Sequence, residues 1–419
     1  MPAGEAPARR SPRASILATL DEVELVIEKL VQGGEGLGRV QGVPVLVPRT
    51  APGDRVKVRL VERHPDYGRG EVVQLVAAGP GRRRPPCPVF ERCGGCDLQH
   101  LEDELQTRLK VAAAREALAR IGHVETPADA RVLSGAAWGY RIRAQIHCET
   151  TTGADGERRI AVGYRERRSD RLVETQRCPI LDPRLEAQLP RLAAALARLD
   201  DPPRRVDLSV AGDRVSCAPP VPGLENRELE LEVGEHRYVF DARVFFQAHR
   251  DLVAELVQVA LGAASDPHGE AYDLYAGVGL FSVPLARRYR RVVAVEGDAA
   301  AARHARRNAQ RNRARNLEVV HRSVEGWADL LPSAPARVLV DPPRQGLAAG
   351  VRRELLRSRP RRLTYVSCQP ATLARDLRHL ADAYDLESVT FLDLFPQTAH
   401  LETVAQLVRR EAVAEDGAG

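Results

Sequence analysis

From about Arg237 onward, short β-branched and aromatic runs (AYDLY, VVAVE, LEVV, RVLV and LTYVS) alternate with helical stretches. That order predicts a doubly wound parallel sheet with helices on both faces. Open sheets of this kind bind ligands in the crevice at the carboxyl ends of their strands. The residues that follow each run are therefore the first candidates for chemistry.

The first run leads into a glycine turn, DLYAGVG, in which Gly277 and Gly279 let the backbone approach a ligand closely. The second ends in an acid, Glu296, placed to accept hydrogen bonds from a ribose diol. The third glycine of GxGxxG is missing, which removes the smooth helix approach to a pyrophosphate. A nucleoside without a diphosphate fits better than a dinucleotide, and S-adenosylmethionine is such a ligand. The fourth run ends in Asp341, and Pro342 and Pro343 hold the backbone beyond it extended and rigid.

The fifth run, Leu363 to Val366, leads to a thiol. A helical pattern follows from Ala371 to Leu380, and Pro370 suits its first position, so Cys368 is expected just outside a helix N-terminus. There the helix dipole is predicted to lower the thiol pKa and favour the thiolate. Near the end, Asp393 and Glu402 flank a Pro-containing turn between two predicted strands. A carboxylate entering the apolar strand around Leu401 to Leu407 should have a raised pKa, as a general base working near neutrality needs.

The rest of the chain is of different character. Residues 1–20 are rich in Ala, Pro and Arg and read as a disordered tail. VELVIEKL, VPVLVP, DRVKVRLVE and RGEVVQLV, separated by GGEGLGRVQG, RTAPGD and RHPDYG, predict a small β-barrel. GPGRRRPPCP is a linker into an α+β region with a helix from Glu102 to Ile121 and strands such as RIRAQIHCE and RIAVGYR. Seven cysteines, an odd number, without an export signal argue against a disulfide framework. Cys87, Cys93 and Cys96 form a C-x5-C-x2-C pattern, with Cys178 as fourth thiol. The spacing suits either structural zinc or an iron–sulfur cluster. Cys148 and Cys217 lie on predicted strands and read as core.

The net charge of +5 is compatible with a polyanionic partner without demanding one. Lys29, Arg39, Lys57, Arg59, Arg63 and Arg69 of the barrel are candidate phosphate contacts, and the Arg-rich helix AARHARRNAQRNRARN could join them. No apolar run is long enough to span a bilayer. A cytoplasmic monomer is the default expectation.

In chain order, the barrel, the cysteine cluster, FFQ, DLYAGVG, DPPRQGL, SCQPATLARDL and FPQTAHLE resemble the S-adenosylmethionine-dependent RNA uridine-C5 methyltransferases. The resemblance implies a TRAM-type, OB-like RNA-binding barrel over 21–78 and a central α+β domain over 79–235 carrying an iron–sulfur cluster. It also implies a Rossmann-like class I methyltransferase domain over 236–413, with tails at 1–20 and 414–419. By the same resemblance Cys368 is the nucleophile and Glu402 the base that removes the C5 proton. Gln247, Tyr275, Glu296 and Asp341 contact S-adenosylmethionine, and Gly277 and Gly279 shape its pocket. Cys87, Cys93, Cys96 and Cys178 hold a 4Fe-4S cluster.

The substrate implied is an unpaired uridine of RNA, 23S rRNA first and the T-loop uridine of tRNA second. The chain departs from the family pattern at Gln369, His249, Ala276 and Leu280. Amino-methyltransferases place an aromatic after the paired prolines, where this chain has Arg344, which counts against that class. A non-catalytic RNA-binding iron–sulfur protein is the remaining alternative.

Overall fold

The computed structural model describes residues 16–18, 20–152, 156–263 and 266–411. The expected tail at 414–419, and residues 1–15 and 19 of the expected tail at 1–20, lie outside the described residues. The chain divides into two compact units.

The first unit takes in the chain up to Pro88, then Cys96–Ala113 and Gln397–Ala399. It contains a closed barrel of β1 (Glu22–Leu30), β2 (Glu35–Val40), β3 (Val43–Pro48), β4 (Arg55–Arg63) and β5 (Gly68–Ala77), in the order β1-β2-β3-β5-β4. Alternating residues of β1 and β4 point inward, and Val45, Val47, Val56 and Val58 are completely buried. Each such valine stabilises the barrel by roughly 1.5–3 kcal/mol. Leu17, within the stretch expected as a tail, is completely buried in the same cluster.

Strand β2 is a correction to the sequence reading, which treated GGEGLGRVQG as a separator. Its glycines are there because the barrel wall is tight. A Cβ on Gly36 would come within 2.1 Å of the Thr50 hydroxyl oxygen, and one on Gly38 within 2.7 Å of the Val26 carbonyl oxygen. The glycines permit strand packing here rather than interrupt it. Helix α1 (Asp103–Gly122) follows, with Asp103 and Glu104 in its first turn and Arg120 in its last, each matching the helix dipole.

The second unit comprises Val89–Gly95, Ala114–Pro396 and the chain from His400. The sequence reading placed a domain boundary at 235, but one compact unit runs across it. Its smaller sheet has the order β11-β10-β7-β8-β9, with β7 (Arg143–Thr152), β8 (Arg158–Arg165), β9 (Leu172–Glu174), β10 (Arg205–Ala211) and β11 (Arg214–Ala218). Cys148 on β7 and Cys217 on β11 are buried core residues, as expected. Helices α2 (Pro183–Glu186) and α3 (Gln188–Leu196) and the hairpin of β12 (Leu229–Val233) and β13 (His236–Phe240) complete this region.

The larger sheet has the order β16-β15-β14-β17-β18-β20-β19-β6. Its parallel strands are β14 (Asp266–Leu274), β15 (Tyr289–Glu296), β16 (Leu317–His321), β17 (Arg337–Val340) and β18 (Arg362–Ser367). Helices α4 (Val253–Leu261), α5 (Ser282–Leu285), α6 (Ala299–Arg311), α7 (Ala349–Ser358) and α8 (Pro370–Leu380) accompany them. The wholly parallel expectation is corrected at one side. There β20 (Glu402–Arg409) pairs antiparallel with both β18 and β19 (Tyr384–Asp393), and β6 (Arg131–Ser134) adds a last strand parallel to β19. Because β20 runs in reverse, its first residue stands at the edge where the parallel strands end. Among the described residues, no helix is long and apolar enough to cross a membrane.

Candidate active site

A cavity of about 750 Å³ opens at that edge. Strand register decides what lines it. Leu274 is level with Val340, so Tyr275 and Asp341 leave the sheet side by side. Ser367 pairs with Thr403 in the antiparallel ladder, which sets Cys368 opposite Glu402. Glu296 closes β15 at the same edge, and Gln247 reaches the cavity from the segment after β13. Of the twelve residues predicted from sequence, the structure gathers Gln247, Tyr275, Gly277, Glu296, Asp341, Cys368 and Glu402 around this one space.

Gly279 does not line it but shapes the turn beneath. With φ +84, it has a Cβ position only 3.5 Å from Ala305. Tyr275 and Gly277 also take left-handed backbone, at φ +65 and +55. For a tyrosine that conformation carries strain, which clusters where a fold holds a ligand-binding turn. The turn is tied to the next strand through Glu296. Its Oε2 accepts from the Gly277 N–H at 2.7 Å and its Oε1 from the Asp298 N–H at 2.7 Å. Each oxygen keeps a lone pair for a further donor, as a ribose diol would offer.

The electrostatics correct one expectation and support another. Cys368 does precede the N-cap Gln369 and the N1 residue Pro370 of α8. Its thiol pKa is nevertheless pushed up to about 12, not lowered. Burial is the largest cause, followed by the nearby Glu402 carboxyl; Arg344, hydrogen-bonded to the thiol, pulls the other way. Desolvation of the thiolate here outweighs the dipole of a helix end. Burial and then Asp341 hold Glu402 well above the usual carboxylate range, the direction expected.

Arg344 lines the cavity beside the thiol, a place that the sequence reading passed over because it weighed the residue only as a missing aromatic. Its guanidinium also donates to His400 Nε2 at 3.0 Å. Arg141, Arg143 and Gln145 enter the cavity wall from the chain leading into and along β7. The polar alternation in RIRAQ was the available signal. The Arg143 guanidinium lies 5.6 Å from the centre of the Phe245 ring, which is 57% exposed at the cavity mouth.

Beneath the crevice lies a further buried acid, Asp273, which accepts from the Ser282 hydroxyl. Burial first, then the Glu296 charge, raises it to about 7, and Asp341 is also raised to about 7 by burial and by Asp273. Such groups bind a proton in the folded state that the unfolded chain, near pKa 3.9, has already released. Their contribution to stability is full below about pH 4 and is lost as the pH rises through 7. For Asp273 the loss is roughly 4 kcal/mol. Asp273→Asn is therefore expected to flatten the fall in melting temperature of the ligand-free protein between about pH 5 and pH 8. An unchanged pH slope in thermal denaturation would show that Asp273 does not carry it.

The departures from the family pattern are accommodated. His249 is fully buried and stacks on Tyr140 with ring centres 4.7 Å apart. Its Nδ1 accepts from the Asp251 N–H, so Nε2 carries the proton, facing the Ala136 carbonyl at 3.1 Å. Burial lowers its pKa and keeps it neutral. Leu280 and Ala276 line the cavity, and the Leu280 carbonyl accepts from the Tyr238 hydroxyl at 2.8 Å. The Gln369 carbonyl accepts from the Thr372 hydroxyl and its N–H donates to the Ser367 hydroxyl oxygen, which fixes the turn after Cys368.

The cysteine cluster is distributed over the two units. In the second, Cys93 and Cys178 are buried beside Tyr164 of β8, whose hydroxyl pKa is raised by burial and then by Cys178 and Cys93. The Gly95 N–H points at the Cys93 sulfur at 3.3 Å, and the Cys178 N–H donates to Glu186 at 2.8 Å. In the first, Cys96 is buried and the Cys87 N–H donates to Gln99 at 3.3 Å. Two buried thiols at one ring are suitable donors for a soft metal centre. Among the described residues, no group of three or more His, Cys, Asp or Glu side chains is arranged to hold a metal ion.

A family model described as tRNA (uracil-5-)-methyltransferase matches residues 224–410, and a TRAM domain model matches 21–73. A 23S rRNA (uracil(1939)-C(5))-methyltransferase of Cronobacter sakazakii is 34% identical over 432 residues, covering 94% of this chain and 98% of that protein. The chain belongs to the RNA uracil-C5 methyltransferase family. It is an S-adenosylmethionine-dependent RNA (uracil-C5)-methyltransferase, with a TRAM domain at its start. A second RNA uracil-C5 methyltransferase, from Pectobacterium atrosepticum and carrying the same 23S rRNA description, is 33% identical over 89% of this chain and 90% of its own. Among solved structures, the Pyrococcus abyssi tRNA (uracil-54, C5)-methyltransferase in complex with S-adenosyl-L-homocysteine is similar, with a TM-score of 0.70 and 26% identity. The match covers 92% of this chain and 100% of that one.

Proposed function

We propose that this methyltransferase acts on C5 of a specific uridine in 23S rRNA through a covalent adduct between Cys368 and uracil C6. The observation that carries the reading is the pairing of Ser367 with Thr403, which faces a thiol toward a carboxyl across one ligand-sized cavity. Uracil C5 is too weak a nucleophile to attack a methyl sulfonium directly. Addition of the Cys368 thiolate forms the S–C6 bond and moves the C5–C6 electron pair into an enolate. Carbon 5 then takes the methyl as the methyl–sulfur bond breaks. The Glu402 carboxylate removes the C5 proton, the C5–C6 double bond re-forms, and the C6–S bond breaks to release Cys368.

S-adenosylmethionine supplies the electrophilic methyl when bound. Gln247, Tyr275, Glu296 and Asp341 would contact it in the space shaped by Gly277 and Gly279. Arg344 favours the thiolate form of Cys368 against its burial. The target base has to leave its stack to reach the thiol, which points to an unpaired uridine. The 23S assignment leans on the names of the Cronobacter and Pectobacterium relatives. The T-loop uridine of tRNA is the second reading, supported by the substrate of the Pyrococcus enzyme.

We further propose that Cys87, Cys93, Cys96 and Cys178 ligate a 4Fe-4S cluster, on the strength of the four-thiol donor set and of Cys93 and Cys178 meeting at Tyr164. Methyl transfer needs no electron from it, so its role is structural or in holding RNA. The same proposal keeps the protein in the cytoplasm, where ribosomal RNA is its substrate, and takes a monomer as its form. The test is an anaerobic preparation given methyl-labelled S-adenosylmethionine with unmodified 23S rRNA or tRNA transcripts. Label is expected as 5-methyluridine in the ribosomal transcript, from a brown, iron-containing protein. Label in tRNA alone would overturn the substrate, and a colourless protein with stoichiometric zinc would overturn the cluster.

A further inference from the structure

A second depression, of about 500 Å³, lies between α6 and the edge strand β16. Arg306, Arg313 and Arg315 stand around it over a floor that includes Ala309, Leu317 and Val319. Apart from Arg303, the exposed arginines of this segment divide into two sets. On one ridge, Arg307 and Arg311 are neutralised by Glu228 and Glu230. The three that surround the depression have no carboxylate partner among the described residues. Glu318, the acid of the neighbouring strand, alternates to the opposite face of the sheet and pairs with Arg291 at 2.6 Å.

One of the groove arginines has a side-chain anchor and a second sits on a constrained turn. Arg306 donates to the Val319 carbonyl at 3.2 Å, which lays its guanidinium along the edge strand. Arg313 takes left-handed backbone at φ +56, in a turn closed by the Ala314 N–H to the Ala309 carbonyl at 2.9 Å. Three uncompensated guanidinium forks around one apolar-floored channel match a row of phosphates in charge and in geometry. Helix α6 starts at the catalytic crevice, where Ala301 lines the cavity. At 1.5 Å per residue, Arg306 lies about 8 Å further along the axis and Arg311, the last helical residue, about 15 Å, with Arg313 in the turn just beyond it.

We propose that this groove is a second RNA-binding site that holds the phosphodiester backbone of the substrate strand leading away from the target uridine. The proposal rests on the reading that the chain methylates RNA. The groove adds affinity and takes no part in the chemistry.

The test compares the full-length wild type with R306Q/R313Q/R315Q and with R306K/R313K/R315K, on an unmodified 23S rRNA transcript containing the target. The measurement is the dissociation constant between about 50 and 200 mM salt. The glutamine variant is expected to bind on the order of 10- to 100-fold more weakly. Its slope of log affinity against log salt should be shallower by about 2, since each lost phosphate contact removes roughly 0.7–0.9. The lysine variant should keep most of both. kcat on saturating transcript should not change, and binding of S-adenosyl-L-homocysteine checks that the crevice is intact. If the triple glutamine variant fails that check, R306Q and R315Q alone are each expected to lose roughly 0.7–0.9 of slope. Wild-type slope and affinity in the glutamine variants overturn the groove while leaving the methyltransferase reading in place. A wild type that binds S-adenosyl-L-homocysteine but methylates no RNA overturns that reading instead, and the groove site with it.

Discussion

Cys368→Ala is expected to abolish methyl transfer, with turnover falling on the order of 10⁴-fold or more while S-adenosyl-L-homocysteine binding changes by no more than a few-fold. Among the described residues lining the cavity, Cys368 is the only cysteine, and there is no serine, threonine, lysine or histidine to replace it. Tyr275 is a poor substitute. Its hydroxyl donates to Glu325 at 2.9 Å, and burial and that carboxylate push its pKa up. The raised pKa of Cys368 gives the same prediction a second readout. With the thiol pKa at about 12, thiolate is the minor form at neutral pH, and its fraction grows tenfold per pH unit. Alkylation of Cys368 in the ligand-free protein should therefore climb through pH 7 to 10 without a plateau. Single-turnover assays with labelled methyl donor check the first part. Turnover by the alanine variant at wild-type rate would remove Cys368 from the mechanism.

What could be read from the sequence divides along physical lines. Four of the five parallel strands were legible because their inner parts are buried on both faces and form continuous apolar runs, and VVAVE or RVLV can be little else; the half-exposed edge strand β16 was legible from its β-branched residues. Residues at their carboxyl ends were legible for the same reason: they follow the run directly. Strand β2 was not, because EGLGRV owes its glycines to Thr50 and Val26, contacts made across the barrel. The Cys368 pKa was misjudged because a local rule, the helix terminus, was applied to a group whose energy depends on burial and on Glu402 from a distant strand. Arg143 and Phe245 show the same limit. They are about a hundred residues apart in the sequence, and only the fold makes them neighbours at the cavity mouth. The reversal of β20, which brings Glu402 to the edge, is likewise a property of strand pairing and not of any residue in the strand.

Glu402→Gln should separate the two halves of the reaction. The substitution keeps the shape of the side chain and removes only its ability to take a proton. Burial and then Asp341 push the Glu402 pKa well above the usual carboxylate range, which favours its neutral form, so a neutral amide disturbs the site little. Binding of S-adenosyl-L-homocysteine and of RNA should then be nearly unchanged. Addition of Cys368 to C6 and methyl transfer to C5 do not need the base. Loss of the C5 proton does, and without it the C6–S bond has no electron pair to expel the thiolate. The variant is expected to give a burst of about one methyl per protein and then stall, with turnover lowered roughly 10²–10⁴-fold, the range for a lost general base. The stalled species should be a methylated RNA–protein adduct that survives denaturing electrophoresis and disappears when Cys368→Ala is added. Normal turnover without an adduct would show that another group takes the C5 proton. Asp341 would be the next to test, since it is the carboxyl that acts on both Cys368 and Glu402.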